Sequence, residues 1–554
     1  MTTANSVLGS KVCTNTIATL QDLEEIAESL QCGKEETLEE LRVCIGSSCL
    51  SQGADAIEEG LREAIKEKGL EEKCRVKGVG CNGLCANGPL VSHCNSKKSE
   101  PTLYERIDIN DVYELIKSVE NDMLYEEKLC DTSQPFFTKQ KKLVLANAGI
   151  IDPGEIEDYI AHGGYRELFK VLIDMTPTDV INEVKISGLR GRGGGGFPTG
   201  LKWESVSKVQ SEQKYIVCNG DEGDPGAFMD RALMEADPHK VIEGIAIAGY
   251  ACGATKGYIY VRAEYPVAVE KLDRAIKQAR KVGILGNNIA HSNFDFDVEI
   301  RLGGGAFVCG EATALITSIE GNRGNPRQKP PHLSDYGLWG EPTVLDNVET
   351  LANIPLIMEK GGEWFKGIGT EKSSGTKIFA LTGHIKNTGL VEVPMGITLR
   401  ELIYEIGGGV TEGRKLKAIQ TGGPSGGCIP VEHLDLPIDY DSLKSVGTIM
   451  GSGGMIIIDD SSNMVEIAHF FMDFCKSESC GKCTPCRVGT TQMTLLLEKF
   501  MKKEATKADF ELLKQMCEVV KGASLCGLGQ TAPNPVLSTI RYFENEYLEG
   551  IKDD

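Results

Sequence analysis

No stretch of the 554-residue chain reaches the ~20 consecutive apolar residues that a membrane-crossing helix requires. An excess of basic charge is also lacking, with 59 Lys and Arg against 80 Asp and Glu. The formal net charge of -21 works against nucleic-acid or anionic-membrane surfaces, which need clustered Lys and Arg. The first residues, Met1 to Ser6, lack a basic segment followed by an apolar core, so no export signal is expected. Internal repeats are missing too. These absences predict a soluble, cytoplasmic, multi-domain globular protein, one that can still dock onto membrane-bound partners. The length corresponds to roughly 3 to 5 domains.

Two residue types stand out against that background. There are 19 cysteines and 64 glycines. A reducing compartment keeps thiols free unless a metal or cluster holds them, so the cysteines read as ligands and not as a disulfide framework. The glycines concentrate in short loops, which calls for a chemical explanation.

Cys480-x-x-Cys483-x-x-Cys486 places three thiolates in one tight loop, suited to three corners of a cubane, and Cys526 supplies a fourth from a distant segment. Structural zinc is the competing reading. Lys482 and Arg487 would offset the charge of an anionic cluster. Cys475 and Cys517 are rival ligands that do not extend the tight spacing. Near the start, Cys44-x4-Cys49 and Cys81-x3-Cys85 form two loops, each at the end of an expected strand, an arrangement that can hold the two irons of a [2Fe-2S] cluster. Zinc or inert buried thiols are the alternatives there, with Cys74 and Cys94 as bystanders.

Hydrophobic periodicity divides the chain. Residues 1–122 read as a small α/β unit with strands at Leu41–Cys44 and Arg75–Val79 and a helix at Asp55–Lys68, and 123–142 as a charged linker. Residues 143–370 form an α/β domain. In it, Thr178 is the expected N-cap of a helix carrying Val180, Ile181 and Val184, with Gly188 as its stop. Strands are expected at Tyr215–Val217, Tyr258–Val261 and Phe294–Ile300, and a helix is expected on Val269, Leu272, Ile276 and Ala279. Residues 371–457 read as an α+β module, with strands at Lys377–Ile385 and Leu390–Val393 and a capping box at Thr398-x-x-Glu401 whose helix stops at Gly407. Residues 458–554 are expected to be helical.

The glycine loop Gly191-Arg-Gly-Gly-Gly-Gly196 contains a literal G-x-G-x-x-G, but a helix precedes it where the usual dinucleotide fingerprint needs a strand. Another kind of nucleotide loop fits better. Bare backbone approaches phosphate or a ring closely, Arg192 and Lys202 add positive charge, and Phe197 adds a stacking face. After an expected strand, Asn219, Asp221 and Glu222 are placed to hydrogen-bond a polyhydroxyl chain or heterocycle, and Pro225 disfavours a calcium loop. A second glycine loop, Gly303 to Ala312, ends in Glu311. Two such loops favour two nucleotide-like ligands.

Taken in order, Gly-Arg-Gly-Gly-Gly-Gly-Phe-Pro-Thr-Gly-Leu-Lys-Trp, Cys-Asn-Gly-Asp-Glu, Cys-Gly-Glu, Asp-Asn-Val-Glu-Thr-Leu-Ala-Asn and Glu-Ser-Cys-Gly-Lys-Cys-Thr-Pro-Cys-Arg resemble one family. It is the NADH-oxidising flavoprotein subunit of respiratory complex I and its relatives in soluble hydrogenases and formate dehydrogenases. The resemblance covers roughly Lys141 to the C-terminus. The N-terminal unit resembles the thioredoxin-like [2Fe-2S] subunit of the same systems. The combination is most similar to the diaphorase flavoprotein of bidirectional NAD(P)-linked nickel-iron hydrogenases.

This resemblance implies a thioredoxin-like N-terminal domain, a Rossmann-like FMN/NAD domain, a ubiquitin-like β-grasp domain of the soluble-ligand-binding type and a helical [4Fe-4S] domain. FMN is then held by Gly191, Gly193, Lys202, Asn219, Asp221 and Glu222, with Gly310, Glu311, Asp346 and Asn347 completing the pocket. Arg192, Gly194, Phe307 and Leu345 are grouped with them. NAD(H) or NADP(H) stacks on the flavin, with Phe197 beside adenine, Lys329 near the dinucleotide and Asp224 near the carboxamide. Glu222 is the residue assigned to tuning the flavin. Ser205 and His332 stand where relatives often carry aromatic rings, and Ala312 where a glutamate near the adenosine ribose would repel a 2'-phosphate. The implied partners are other iron-sulfur and catalytic subunits of a hydrogenase complex. Formate dehydrogenase, an electron-bifurcating hydrogenase and a non-catalytic iron-sulfur scaffold are the alternative settings.

Overall fold

The computed structural model describes residues 16–32, 38–95, 98, 100–411 and 413–552. Among the described residues, three sheets of four or five strands, a two-stranded ribbon pairing Gly369–Thr370 with Ser373–Ser374 and a terminal group of helices make up a mixed α/β, multi-domain architecture.

The first sheet contains β1 (Glu39–Cys44), β2 (Cys74–Val79), β3 (Val91–Cys94) and β4 (Thr102–Tyr104) in the order β2-β1-β3-β4. β1 and β2 run parallel, in a register that pairs Cys44 with Val79. Parallel neighbours end on the same side of a sheet, so the segments leaving the two strands emerge together. Cys44 closes β1 with Cys49 in the segment after it, and the segment after β2 carries Cys81 and Cys85. The helix Ala54–Lys68 covers the sheet with Ile57, Leu61, Ala64 and Ile65 and ends at Gly69 in the left-handed region.

The central sheet contains β5 (Tyr215–Gly220), β6 (Lys256–Arg262), β7 (Gly286–Ile289), β8 (Phe294–Gly303) and β9 (Thr343–Asn347), ordered β7-β8-β6-β5-β9. All neighbours are parallel except β7 with β8. The helix Pro238–Cys252 behind it is buried almost throughout, which accounts for its apolar sequence. In β8, Phe296 and Val298 are buried and Asp295 and Glu299 are not, as period-two alternation predicts. The helix before the glycine loop runs Pro177–Ile186 and is capped by Thr176, not Thr178. Thr176 and Asp179 form a reciprocal capping box, and Pro177 sits at the first helical position, where its missing N–H costs nothing.

The third sheet contains β10 (Thr376–Gly383), β11 (Gly389–Pro394), β12 (Leu416–Thr421), β13 (Gly427–Pro430) and β14 (Gly454–Asp459), ordered β11-β10-β14-β12-β13. Only β10 and β14 pair in parallel. The capping box forms as expected, Glu401 accepting from the Thr398 N–H and hydroxyl, but Glu401–Ile406 winds as a π-helix before Gly407. Helices Met464–Ser477, Thr484–Met501, Lys507–Ala523 and Asn534–Leu548 then pack around Met472, Leu497, Leu513, Val536 and Tyr547.

The charged segment 123–142 does not hang free between units. It buries Cys130 and Phe136, and beyond it the N–H groups of Leu143, Val144 and Leu145 donate to the buried Glu392 of β11. The first and third sheets share one continuous apolar core that includes Leu41, Val91, Phe136, Phe379 and Val391.

Candidate functional site: a glycine-lined cleft beside a cysteine cavity

The carboxyl ends of β5 and β9 deliver Asn219, Asp346 and Asn347 to one edge of the central sheet, the usual place for a ligand in an open α/β sheet. The glycine loop lies across that edge. It is closed by the Gly191 N–H to the Phe197 carbonyl at 2.9 Å and by Arg190 Nε to the Gly196 carbonyl at 2.7 Å. Gly194 has φ +114°, which L side chains avoid, and a Cβ on Gly193 would stand 3.0 Å from that of Asn347. The third sheet's domain forms the opposite wall. The Tyr440 hydroxyl donates to the Gly191 carbonyl at 2.8 Å, Gly194 bridges to Gly451, and Arg190 lies 4.3 Å over the Tyr440 ring.

Between these walls is a cleft of about 720 Å³. It is lined by Gly191, Gly193, Gly194, Phe197, Lys202, Asn219, Asp221, Glu222, Asp224, Phe307, Gly310, Glu311, Lys329, Leu345, Asp346 and Asn347. Those expected residues are therefore brought together. Arg192 departs from the expectation of a charge facing the ligand. Its side chain is fully buried and donates to the carbonyls of Arg190 and Ser374, so it braces the loop from behind. Ser205 and His332 do not line the cleft either. Sequence reasoning missed Arg190, Asp230, Tyr440, Ile449 to Ser452, Leu528 and Thr531, all of which do. The glycine-rich runs at Gly422 to Gly427 and Gly451 to Gly454 were the available signal for the third-sheet wall.

The polar groups fall into three sets. Lys202 donates to the Leu345 carbonyl at 2.7 Å and pairs with Asp346, whose other oxygen accepts the Trp203 indole N–H at 2.8 Å. A positive charge is thereby fixed at the cleft floor. Asn219 donates to the Gly310 carbonyl and accepts the Asp221 N–H, both at 3.0 Å, which joins the segment leaving β5 to the second glycine loop. Glu311 caps the helix Ala312–Ile319 and pairs with Lys329 at 3.0 Å.

The carboxylates are the most perturbed groups. Burial pushes Asp221 up to about 7 against the pull of Arg262, and both of its oxygens are buried without a hydrogen-bond partner. Burial likewise pushes Asp224 up to about 7, although Ser452 donates to it at 3.0 Å. Glu222 accepts the N–H groups of Asp230 and Arg231 at 3.1 and 3.0 Å, yet burial still raises it. Orphaned acceptors call for hydroxyl or N–H donors from a ligand. Together with the glycine cradle and the Lys202 charge, they fit a flavin mononucleotide.

Cys480, Cys483, Cys486 and Cys526 line one small cavity with Val308, Pro326, Ser479, Lys482, Leu525 and Leu528. The Leu525 N–H approaches Cys483 Sγ at 3.5 Å and the Ser479 hydroxyl meets Cys486 Sγ at 3.2 Å, the contacts that buried sulfur ligands receive. Cys475 and Cys517 are buried outside that lining. Val308 and Leu528 face both the cysteine cavity and the glycine-lined cleft, so two apolar side chains separate them.

The N-terminal thiols also converge. Cys44 contacts Cys49 and Cys81, and Cys81 lies 3.8 Å from Cys85. Sharing protons with their neighbours pushes Cys44 and Cys81 up to about 12. Four thiolates can occupy this space only around cationic metal. Among the described residues no three His, Cys, Asp or Glu side chains are spaced to hold a single metal ion. Cluster ligands attach to different irons and need not point at one centre.

Residues 184–356 match the Nuo51 FMN-binding domain, 378–429 the SLBB domain, and 466–550 the NADH-ubiquinone oxidoreductase-F iron-sulfur binding region. The NADP-reducing hydrogenase subunit HndC of Solidesulfovibrio fructosivorans is 55% identical over 415 residues, covering 75% of this chain and 84% of the relative. The NADH-quinone oxidoreductase F protein of Escherichia coli is 41% identical over 402 residues, covering 72% and 90%. The chain belongs to this family of NADH-oxidising flavoproteins. A solved relative of the same architecture, an NAD+-reducing [NiFe]-hydrogenase in the H2-reduced state, superposes with a TM-score of 0.67 at 28% identity, covering 97% of this chain and 90% of the other. The cleft's glycine loop falls within the FMN-binding match, and Cys480 to Cys526 within the iron-sulfur match.

Proposed function

We propose that this chain is the diaphorase subunit of a hydrogenase-type complex. In this reading it exchanges hydride between NAD(P)H and FMN and passes single electrons through iron-sulfur clusters to or from partner subunits. The observation that carries the reading is the shared wall of Val308 and Leu528, two apolar side chains that alone are common to the cleft and the C-terminal cysteine cavity among their described lining residues. Its domains correspond to a thioredoxin-like unit, a Rossmann-like FMN domain, a β-grasp module and a helical cluster domain.

Bound FMN supplies the two-electron to one-electron conversion, which no side chain here provides. The chain's own residues bind and orient. Gly193 and Gly194 admit the flavin close to bare backbone, and Lys202 offers its charge at the floor. Asp221 accepts from ligand hydroxyls, and Glu222 holds a carboxylate near the ring. Phe197, 56% exposed at the rim, provides a face for adenine. Asp224, held by Ser452, accepts from the nicotinamide carboxamide. Lys329 lines the cleft paired with Glu311, and at the neighbouring Ala312 no second carboxylate is added to oppose a 2'-phosphate. NADH is the expected substrate, with NADPH admitted better than in relatives that carry a glutamate there.

Cys480, Cys483, Cys486 and Cys526 hold the [4Fe-4S] cluster in this scheme, and Cys44, Cys49, Cys81 and Cys85 a [2Fe-2S] cluster. The partners are iron-sulfur and catalytic subunits of a hydrogenase or related oxidoreductase, and the compartment is the cytoplasm. No helix among the described residues is long and apolar enough to cross a membrane. Absorbance, iron and sulfide analysis of the purified chain tests the cofactor content. Bound flavin with both clusters is expected, and a colourless protein that takes up no FMN would end this reading.

A further inference from the structure

The helix Met229–Ala236 touches both ends of the proposed redox apparatus. At its start the N–H groups of Asp230 and Arg231 bind Glu222, which lines the cleft. At its finish Glu235 accepts the Ser47 N–H at 2.9 Å and also the Ser47 hydroxyl, and Ser47 lies between Cys44 and Cys49. A Cβ on Gly80, the residue before Cys81, would stand 2.3 Å from the Ala236 Cβ, so the second cysteine loop packs on the same helix end. Eight residues rise about 12 Å. Two helical turns therefore separate the cleft from both N-terminal cysteine loops.

Arg231 spans that interval. Its Nε lies 3.7 Å from Glu235, and its guanidinium rests over the rings of Phe228 and Tyr265 at 5.6 and 5.5 Å. The Tyr265 hydroxyl donates in turn to the Glu222 carbonyl at 2.7 Å. Arg231 thus lies between Glu222, which accepts its backbone N–H, and Glu235, which holds the Ser47 loop.

We propose that Arg231 is a positioning residue whose fixed charge couples the potential of the N-terminal cluster to the flavin site, with Glu235 and the Ser47 loop holding the geometry. The inference rests on the reading that places FMN in the cleft and a [2Fe-2S] cluster between Cys44, Cys49, Cys81 and Cys85. A nearby positive charge favours each electron added at either site, and the Glu235 carboxylate opposes this on the cluster side.

An EPR-monitored redox titration of the full-length holoprotein tests it. Arg231→Gln should lower the reduced-to-oxidised ratio of the N-terminal cluster at fixed potential about tenfold, which is 59 mV for a one-electron couple. Arg231→Lys should restore it, Glu235→Gln should shift it the opposite way, and the C-terminal cluster should not move. An unshifted N-terminal cluster in Arg231→Gln would overturn the proposal. So would equal-sign shifts in the Gln variants at 231 and 235, which would mark simple loosening of the domain contact. If the wild-type spectrum shows no signal that Cys85→Ser removes, the cluster reading itself fails, and the inference with it.

Discussion

Among the described residues lining the cleft, Asp221 is the carboxylate with the most buried hydrogen-bonding capacity unmet. Its two oxygens are buried with no hydrogen-bond partner, and burial holds it at about 7 instead of its ordinary 3.8. Ligand hydroxyls donating to it would stabilise the ionised form and pull that value down. A group whose pKa falls on binding makes the ligand compete with a proton. FMN affinity should therefore drop as pH falls below about 7, by up to tenfold per unit until the bound-state value is reached. Asp221→Asn removes a charge-assisted bond worth about 1.5–3 kcal/mol, so FMN should bind about tenfold to a hundredfold more weakly at pH 8. The pH slope should flatten with it. The assay is quenching of flavin fluorescence on titrating reconstituted apoprotein between pH 5.5 and 8.5, in both variants, about every half unit. Asp224 is also held near 7, but Ser452 already donates to it. A slope that survives intact in Asp221→Asn would move the titration to Asp224 and refute the assignment, and a wild-type affinity flat across the range would refute the linkage altogether.

The same carboxyls add a pH-dependent contribution to the stability of the apoprotein. Their folded values lie above the unfolded 3.8, so the stability they contribute is complete below about 4 and is lost as pH rises toward about 7. Thermal unfolding of apoprotein should thus show a higher midpoint near pH 5 than near pH 8, and the reverse order would contradict the burial. Ala312→Glu should depress kcat/KM for NADPH relative to NADH by about tenfold or more, through repulsion of the 2'-phosphate. An unchanged ratio would remove Ala312 from cofactor choice. Glu222→Gln should raise the flavin potential by on the order of 30 mV, equivalent to about 1.4 kcal/mol in a two-electron couple, since a carboxylate near the ring disfavours the anionic reduced form. A superimposable redox titration would deny Glu222 that role.

Local chemistry was the legible part of this sequence. Cys480, Cys483 and Cys486 announce themselves by spacing, and Gly191 to Gly196 by the absence of side chains where a ligand must come close. The alternation over Phe294–Ile300 is strict enough to be read directly, and the strand runs on to Gly303. The wall supplied by Tyr440, Gly451 and Ser452 was only half legible: the glycine runs at Gly422 to Gly427 and Gly451 to Gly454 mark a place of close approach, but they do not say that the third sheet folds back onto a loop some 250 positions earlier. Arg192 shows the converse error. Its neighbours suggested a phosphate-facing cation, but its short path to the Ser374 carbonyl lies behind the loop. The segment 123–142 looked like a linker because charges dominate its composition, while two buried side chains, Cys130 and Phe136, decide its packing. The link from Glu222 through Arg231 and Glu235 to Ser47 joins residues nearly 190 positions apart and exists only in the folded chain.

The central claim is that electrons entering at the cleft leave through the cysteine cavity beside it. Anaerobic addition of NADH to the flavin-loaded, cluster-replete chain, followed by low-temperature EPR, tests this directly. The account predicts bleaching of the flavin absorbance together with the signal of a reduced [4Fe-4S] cluster that Cys486→Ser abolishes. Flavin reduction with no cluster signal, or a cluster signal indifferent to Cys486→Ser, would contradict it.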